Sequence, residues 1–301
     1  MLTQIKRHTP QSVKALYWKA RSFMNRRRDK RVLRSILKQA LHRKGTATSV
    51  SDNGRYPLVC YLASKDENIF STFKSNPIYR YVLEHVTEEQ GREYLDVISE
   101  YNPFNAQDWQ EFAKNDMYGS PRMYTYDLCG MNTAVSPTTI RYAKVLCDIL
   151  NRFNAGEIKS IAEIGIGYGG QCRIIRTKLP YVQYTLIDLP EVIGLAEKYL
   201  TQYENCRENI RYVDGVHLYL NDDYDLVISN YAFSELRREV QDMYLDKVIL
   251  RSKRGYITWN SLALNAFGGY SVDELLNKIP GSVRIDERPL TNPDNCIIIW
   301  G

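Results

Sequence analysis

Beyond residue 136 the apolar positions fall into two alternating periods. Short runs dense in Ile, Val, Leu and Tyr occupy 160–164, 184–187, 210–213, 224–229 and 255–259. Between them, 170–179, 191–200 and 238–250 carry apolar residues three or four apart, the spacing of a helix with one buried stripe. Ser136-Pro137 marks one more helix start, serine as N-cap and proline at the first helical position, with Ile140, Ala143, Val145, Leu146 and Leu150 for burial. Strand and helix alternating through short connections predict a parallel sheet covered on both faces. The end of the chain breaks the rhythm. A helix is expected over 272–279, and the apolar segments 283–288 and 296–300 are joined across Thr291-Asn292-Pro293-Asp294, a connection short enough to demand an antiparallel pair.

Upstream, 56–134 reads as mainly helical but broken, with Asn76-Pro77, Asn102-Pro103 and Gly119-Ser120-Pro121 as punctuation. Its stretch Asn115-Asp116-Met117-Tyr118-Gly119-Ser120-Pro121, followed by Tyr124 and Tyr126, concentrates aromatic and polar groups on an expected loop. Such composition suits the grip of a carbohydrate or other polar ligand; a surface turn with packed tyrosines is the plainer reading. In residues 1–45, Val13, Leu16, Tyr17, Ala20 and Phe23, and again Leu33, Ile36, Leu37, Ala40 and Leu41, recur at helical spacing. The expected organisation is a basic amphipathic tail and linker (1–50), a helical accessory region capping the substrate (51–135) and a catalytic α/β domain (136–301).

Charge sharpens this division. The formal net charge of +5 hides a tail holding fourteen Lys and Arg against one acid, Asp29, about +13, while the remainder carries 26 bases and 34 acids, −8. Docking on the acidic body of the same or a neighbouring subunit, peripheral contact with an anionic membrane and binding to nucleic acid all suit such a tail. The acidic body lacks an aromatic and basic stacking platform, which argues against nucleic acid. No apolar run approaches the roughly 20 residues that span a bilayer, and no signal-peptide core follows Met1. Six cysteines without a C-x-x-C pair suggest reduced thiols in a cytoplasmic protein, which a homo-oligomer or the inner membrane face would also accommodate.

In an open α/β sheet, ligands bind beyond the carboxyl ends of the strands where the winding reverses. After the first strand comes Gly165-Ile166-Gly167-Tyr168-Gly169-Gly170, with Glu163 two positions before the first glycine. Asp188 and Leu189 follow the second strand, Asp188 placed for two ribose hydroxyls. Asp214-Gly215 follow the third, facing an adenine amino group, and Asn230 and Tyr231 follow the fourth. Gly165, Gly167 and Gly170 also satisfy the dinucleotide fingerprint G-x-G-x-x-G. A pyrophosphate would be repelled by Glu163, whereas a cationic sulfonium amino acid would not, and the closing hairpin replaces a sixth parallel strand. Both features favour a class I methyltransferase fold binding S-adenosyl-L-methionine (product S-adenosyl-L-homocysteine) over a nicotinamide enzyme. Arg141 is placed to pair with the cofactor carboxylate or with an anionic substrate; otherwise it is a surface helix cation.

These motifs resemble the sugar O-methyltransferases encoded among bacterial surface-polysaccharide genes. The likeness runs over roughly 70–301 through Asn115-Asp116-Met117-Tyr118-Gly119, Ser136-Pro137-Thr138-Thr139-Ile140-Arg141-Tyr142, Ala162-Glu163-Ile164-Gly165 to Gln171, Asp188-Leu189-Pro190-Glu191, Ser229-Asn230-Tyr231-Ala232-Phe233-Ser234-Glu235-Leu236 and Gly255-Tyr256-Ile257-Thr258-Trp259-Asn260. The family tends to have glycine where Ile166 stands. The resemblance implies methylation of a sugar hydroxyl, on a nucleotide sugar or a lipid-linked glycan. A hydroxyl is a poor nucleophile and needs a base within reach. Glu235, just past the fourth strand, is the first candidate; Asp116 and His217 follow. The fourth and fifth strands end in Asn230 and Asn260, so no metal site is expected. Other acceptors (a small molecule, a phosphoramidate, a protein or RNA), or cofactor binding without turnover, are the competing readings.

Overall fold

A computed structural model describes Ser49, residues 54–180 and residues 182–301; the tail helices and most of the linker expected above lie outside the described residues. A seven-stranded sheet forms the centre: β3 (Ser160–Ile164), β4 (Gln183–Asp188), β5 (Ile210–Asp214), β6 (Leu226–Asn230), β7 (Gly255–Trp259), β8 (Val283–Asp286) and β9 (Cys296–Trp300), in the order β5-β4-β3-β6-β7-β9-β8. The first five run parallel, and β9 pairs antiparallel with both β7 and β8. This mostly parallel sheet closed by an antiparallel hairpin is the class I methyltransferase arrangement. Its strand order reverses between β3 and β6, so a crevice opens past their carboxyl ends.

Alternation along the strands divides the core between two faces. Ile161, Leu186, Leu226, Ile228 and Ile297 belong to one buried cluster, and Ala162, Ile164, Ile187, Val227 and Ile298 to the other. Burial on both faces explains why the central strands read as continuous apolar runs. The first cluster continues without interruption into the accessory region, through Tyr56, Phe73, Tyr79, Phe112 and Tyr126.

That region comprises the helices Arg55–Lys65, Glu67–Phe70, Pro77–Val82, Glu88–Tyr101 and Ala106–Ala113. The helix Glu88–Tyr101 begins with a capping box between Thr87 and Gln90 and packs across the helix Pro137–Arg152. Ser136 caps the latter through a 3.2 Å bond from the Thr139 N–H, with Pro137 in the first turn.

Two expectations fail in detail. Tyr124 and Tyr126 lie not on a loop but on β1 (Tyr124–Leu128), which pairs antiparallel with β2 (Met131–Val135) across Cys129 and Gly130, both at positive φ (56° and 80°). The helix expected over 238–250 is α-helical only for Arg238–Tyr244 and then widens into a π turn, Leu245–Ile249. Among the described residues no helix is long and apolar enough to cross a membrane.

Candidate active site

The turn after β3 is built by contacts that no side chain could share. Gly165 has φ +78°, and a Cβ there would stand 1.9 Å from Cβ of Ala232, so the turns following β3 and β6 touch at this point. Gly167 has φ +54°, and its Cβ would meet Leu83 of the accessory region at 2.8 Å. Both conditions, a left-handed backbone and a missing methyl, require glycine. Above this turn lies a cavity of about 540 Å³, floored by strand ends and roofed by the segment from Tyr81 to Tyr94. Ser49, bridged antiparallel to Leu236, reaches its rim.

Carboxyl groups line the floor without cationic partners among the described residues. Glu163 is 2% exposed and receives one hydrogen bond, 2.7 Å from the Tyr184 hydroxyl; burial pushes its pKa up to about 8. Asp188 accepts the Ile166 N–H at 2.8 Å on one oxygen and the Leu189 N–H at 2.7 Å on the other, which ties the β4 end to the glycine turn. Burial outweighs these backbone donors and raises its pKa to about 6. Each oxygen keeps a lone pair for a ligand hydroxyl. Leu189 and Gly215 continue the floor toward β5.

At the other end of the cavity, Asn230 and Tyr231 follow β6. Tyr231 adopts φ +68°, uncommon for a side-chain-bearing residue, and its hydroxyl donates to Glu287. Glu287 is fixed in turn by the Thr291 N–H at 2.9 Å and the Thr291 hydroxyl at 2.7 Å. Glu235 lines the cavity from the 3₁₀ turn Phe233–Glu235. Nδ2 of Asn260 donates to its Oε1 at 3.0 Å, and Asn260 is oriented by the Leu262 N–H on its Oδ1 at 3.1 Å. Burial raises the Glu235 pKa despite that bond.

The cavity therefore gathers Glu163, Gly165, Gly167, Asp188, Leu189, Gly215, Asn230, Tyr231, Glu235 and Arg141. Five of the expected site residues lie elsewhere. Tyr168 is fully buried behind the turn, under the Lys74 ammonium (4.0 Å to the ring centroid) and bonded by Nδ2 of Asn115 at 3.2 Å. Gly169 serves as N-cap of the helix Gly170–Lys178 and packs on Leu200. Asp214 spends its oxygens on its own turn, one on the Val216 N–H at 2.8 Å and one on the His217 ring at 3.0 Å. His217 is 68% exposed there. Asp116 is enclosed: it accepts the Ser136 N–H at 2.7 Å, the Ser136 hydroxyl at 2.8 Å and the Thr139 hydroxyl at 3.0 Å, and pairs with the fully buried Lys74 at 3.5 Å. Of the three candidate bases, Glu235 alone faces the cavity. The segment containing Asn115 and Asp116 forms a buried clamp between the accessory region and the turn.

Sequence reasoning expected a cap over the substrate but named none of the residues that form it. His85 and Gln90 line the cavity. Asn260, which orients Glu235, entered the sequence argument only as a strand end. Among the described residues no cluster of three or more His, Cys, Asp or Glu side chains is arranged for a metal ion.

Residues 118–223 match the model of an O-methyltransferase domain family. Among curated proteins none matches this sequence. Solved structures similar to the chain include PigF with SAH (15% identity, TM-score 0.39, covering 54% of this chain and 59% of that one). The mitomycin 7-O-methyltransferase MmcR is 14% identical, with a TM-score of 0.41 and coverage of 54% of each chain. CalO1, a methyltransferase in calicheamicin biosynthesis in its SAH-bound form, is 16% identical, with a TM-score of 0.39 and coverage of 54% of each chain. The chain thus spans little more than half the length of these structures.

Proposed function

We propose that this chain is an S-adenosylmethionine-dependent O-methyltransferase that methylates a sugar hydroxyl during glycan assembly. One observation carries the reading: Glu163, the Gly165–Gly167 turn, Asp188, Gly215 and Asn230, from four different strand ends, line a single cavity together with the half-buried carboxylate of Glu235. The match of residues 118–223 to an O-methyltransferase domain supports it.

The residues present fit the cofactor. The glycine turn would let the cofactor approach the backbone, Asp188 would offer its free lone pairs to two ribose hydroxyls, and Leu189 and Gly215 would flank a flat base. Glu163 and Asn230 would hold the amino-acid portion, Glu163 regaining its charge beside a cation. When bound, the sulfonium supplies an electrophilic methyl group. The chain supplies alignment and a proton acceptor. Glu235 takes the hydroxyl proton; its raised pKa brings its basicity closer to neutral, and Asn260 holds the carboxylate in one orientation. Glu235→Gln is expected to keep affinity for S-adenosylhomocysteine while turnover, followed as methylated sugar by mass spectrometry, falls by about 10²–10⁴. Turnover within a few-fold of wild type would remove Glu235 from the mechanism.

The acceptor class comes from the resemblance of the motifs, with a nucleotide sugar or a lipid-linked glycan as the form presented. The basic residues 1–45 suit contact with the anionic inner face of the cytoplasmic membrane, where lipid-linked glycans are assembled.

A further inference from the structure

We infer that the methyl acceptor is an oxyanion, a sugar bearing a phosphate or a carboxylate, and that Arg141 anchors it. The inference rests on the methyltransferase reading for what else fills the cavity. Arg141 lies one turn into the helix Pro137–Arg152, is 9% exposed and faces the cavity. Its Nη2 donates to the Leu83 carbonyl at 3.3 Å, and its guanidinium lies 5.7 Å from the centroid of Tyr142. Among the described residues no carboxylate forms an ion pair with it. Glu84, the acid with electrostatic reach to it, keeps one oxygen buried without a hydrogen-bond partner. A guanidinium this far withdrawn from water is costly unless an anion completes its donor set, and its planar fork matches two oxygens of a phosphate or carboxylate. No other Lys or Arg lines the cavity among the described residues.

Position separates this site from the nucleoside end. Arg141 also borders a small recess with Tyr231, Thr258, Glu287 and Ile297, which places it over β6, β7 and β9. Asp188 and Gly215 follow β4 and β5, on the opposite side of β3. Arg141 therefore shares its half of the cavity with Glu235 after β6 and with His85 of the roof.

The test loads the full chain with S-adenosylhomocysteine and titrates it calorimetrically with glucose 1-phosphate, glucuronate and glucose. At least one anion is expected to bind about tenfold or more tighter than glucose, and which one does so distinguishes a phosphate from a carboxylate source. Arg141→Gln should abolish that preference while changing S-adenosylhomocysteine affinity by less than about threefold, which also reports that the variant is folded. Arg141→Lys keeps a buried positive charge without the fork; it should retain the preference at several-fold lower affinity. Glucose binding as tightly as both anions would overturn the inference. So would an Arg141→Gln variant that keeps the anion preference and weakens S-adenosylhomocysteine about tenfold, since Arg141 would then hold the cofactor's own carboxylate. A wild-type chain that binds no S-adenosylhomocysteine defeats instead the methyltransferase reading on which this rests.

Discussion

Glu163→Gln should make this protein more stable and less able to bind a cationic cofactor, and both effects should depend on pH. The carboxyl is 2% exposed, its one hydrogen bond comes from Tyr184, and its pKa is raised to about 8 from an unfolded value of 4.5. Between those values the folded protein holds a proton that the unfolded chain has lost. The stability associated with Glu163 is therefore greatest below pH 4.5 and falls as pH rises toward 8. At about 1.4 kcal/mol per unit, the loss is about 3 kcal/mol at pH 7 and levels off near 5 kcal/mol above pH 8. Glutamine presents the same carbonyl oxygen to Tyr184 and carries no charge to bury. Urea denaturation of both at pH 5, 7 and 8.5 should give curves that nearly coincide at the lowest pH and separate progressively, with the variant more stable. Affinity for S-adenosylmethionine should move the opposite way, weaker in the variant most clearly at high pH, where the wild-type carboxylate is charged. Parallel stability curves, or a variant binding the cofactor as well as wild type at pH 8.5, would refute the reasoning.

Further outcomes follow from single contacts. Gly165→Ala forces a methyl to within 1.9 Å of Ala232 on a backbone with φ +78°, so it should cost about 2 kcal/mol or more and weaken cofactor binding. Adding Ala232→Gly should recover part of the loss, measured by thermal denaturation, and no recovery would disprove the contact. Asp116→Ala leaves the buried Lys74 unpaired and should destabilise by about 3 kcal/mol with kcat nearly unchanged; a kcat loss at unchanged stability would return Asp116 to candidacy as the base. Exhaustive chelation should leave turnover intact, since Asn260 at the end of β7 is engaged by Glu235 and Leu262. Loss of turnover restored by magnesium would show otherwise.

What the sequence revealed tracks how each feature is encoded. Runs buried on both faces gave β3, β7 and β9 to the residue, and the strand ends they imply brought Glu163, Asp188, Asn230 and Glu235 into one neighbourhood through topology alone. The β1–β2 hairpin was hidden because Cys129 occupies a positive-φ turn position where Asn, Asp or Gly would announce it. Asp116 misled for a different reason. A ligand grip and a buried polar clamp have the same local composition, and the residue that decides between them, Lys74, lies 42 positions away. His85 sits between the helices Pro77–Val82 and Glu88–Tyr101, where no periodicity marks a side chain as facing inward.

The distribution of charge pairing sets the cavity apart from the rest of the molecule. Away from it, three buried or half-buried acids are matched by lysines: Asp148 with Lys144 at 2.7 Å, Asp225 with Lys253 at 2.8 Å, and Asp116 with Lys74. Such partners hold the Asp225 carboxyl below its ordinary range despite some burial. Among the described residues Glu163, Asp188 and Glu235 have no cationic partner, and the pKa of each is raised. Arg141, the one permanent cation on the cavity wall among the described residues, has no carboxylate. Acids left unpaired at one place and a cation left unpaired at another cost stability as they stand, and a better-packed protein would bring them together or remove them. Their separation makes sense when each awaits an opposite charge: Glu163 a cationic amino acid, Arg141 an oxyanion, and Glu235 a proton.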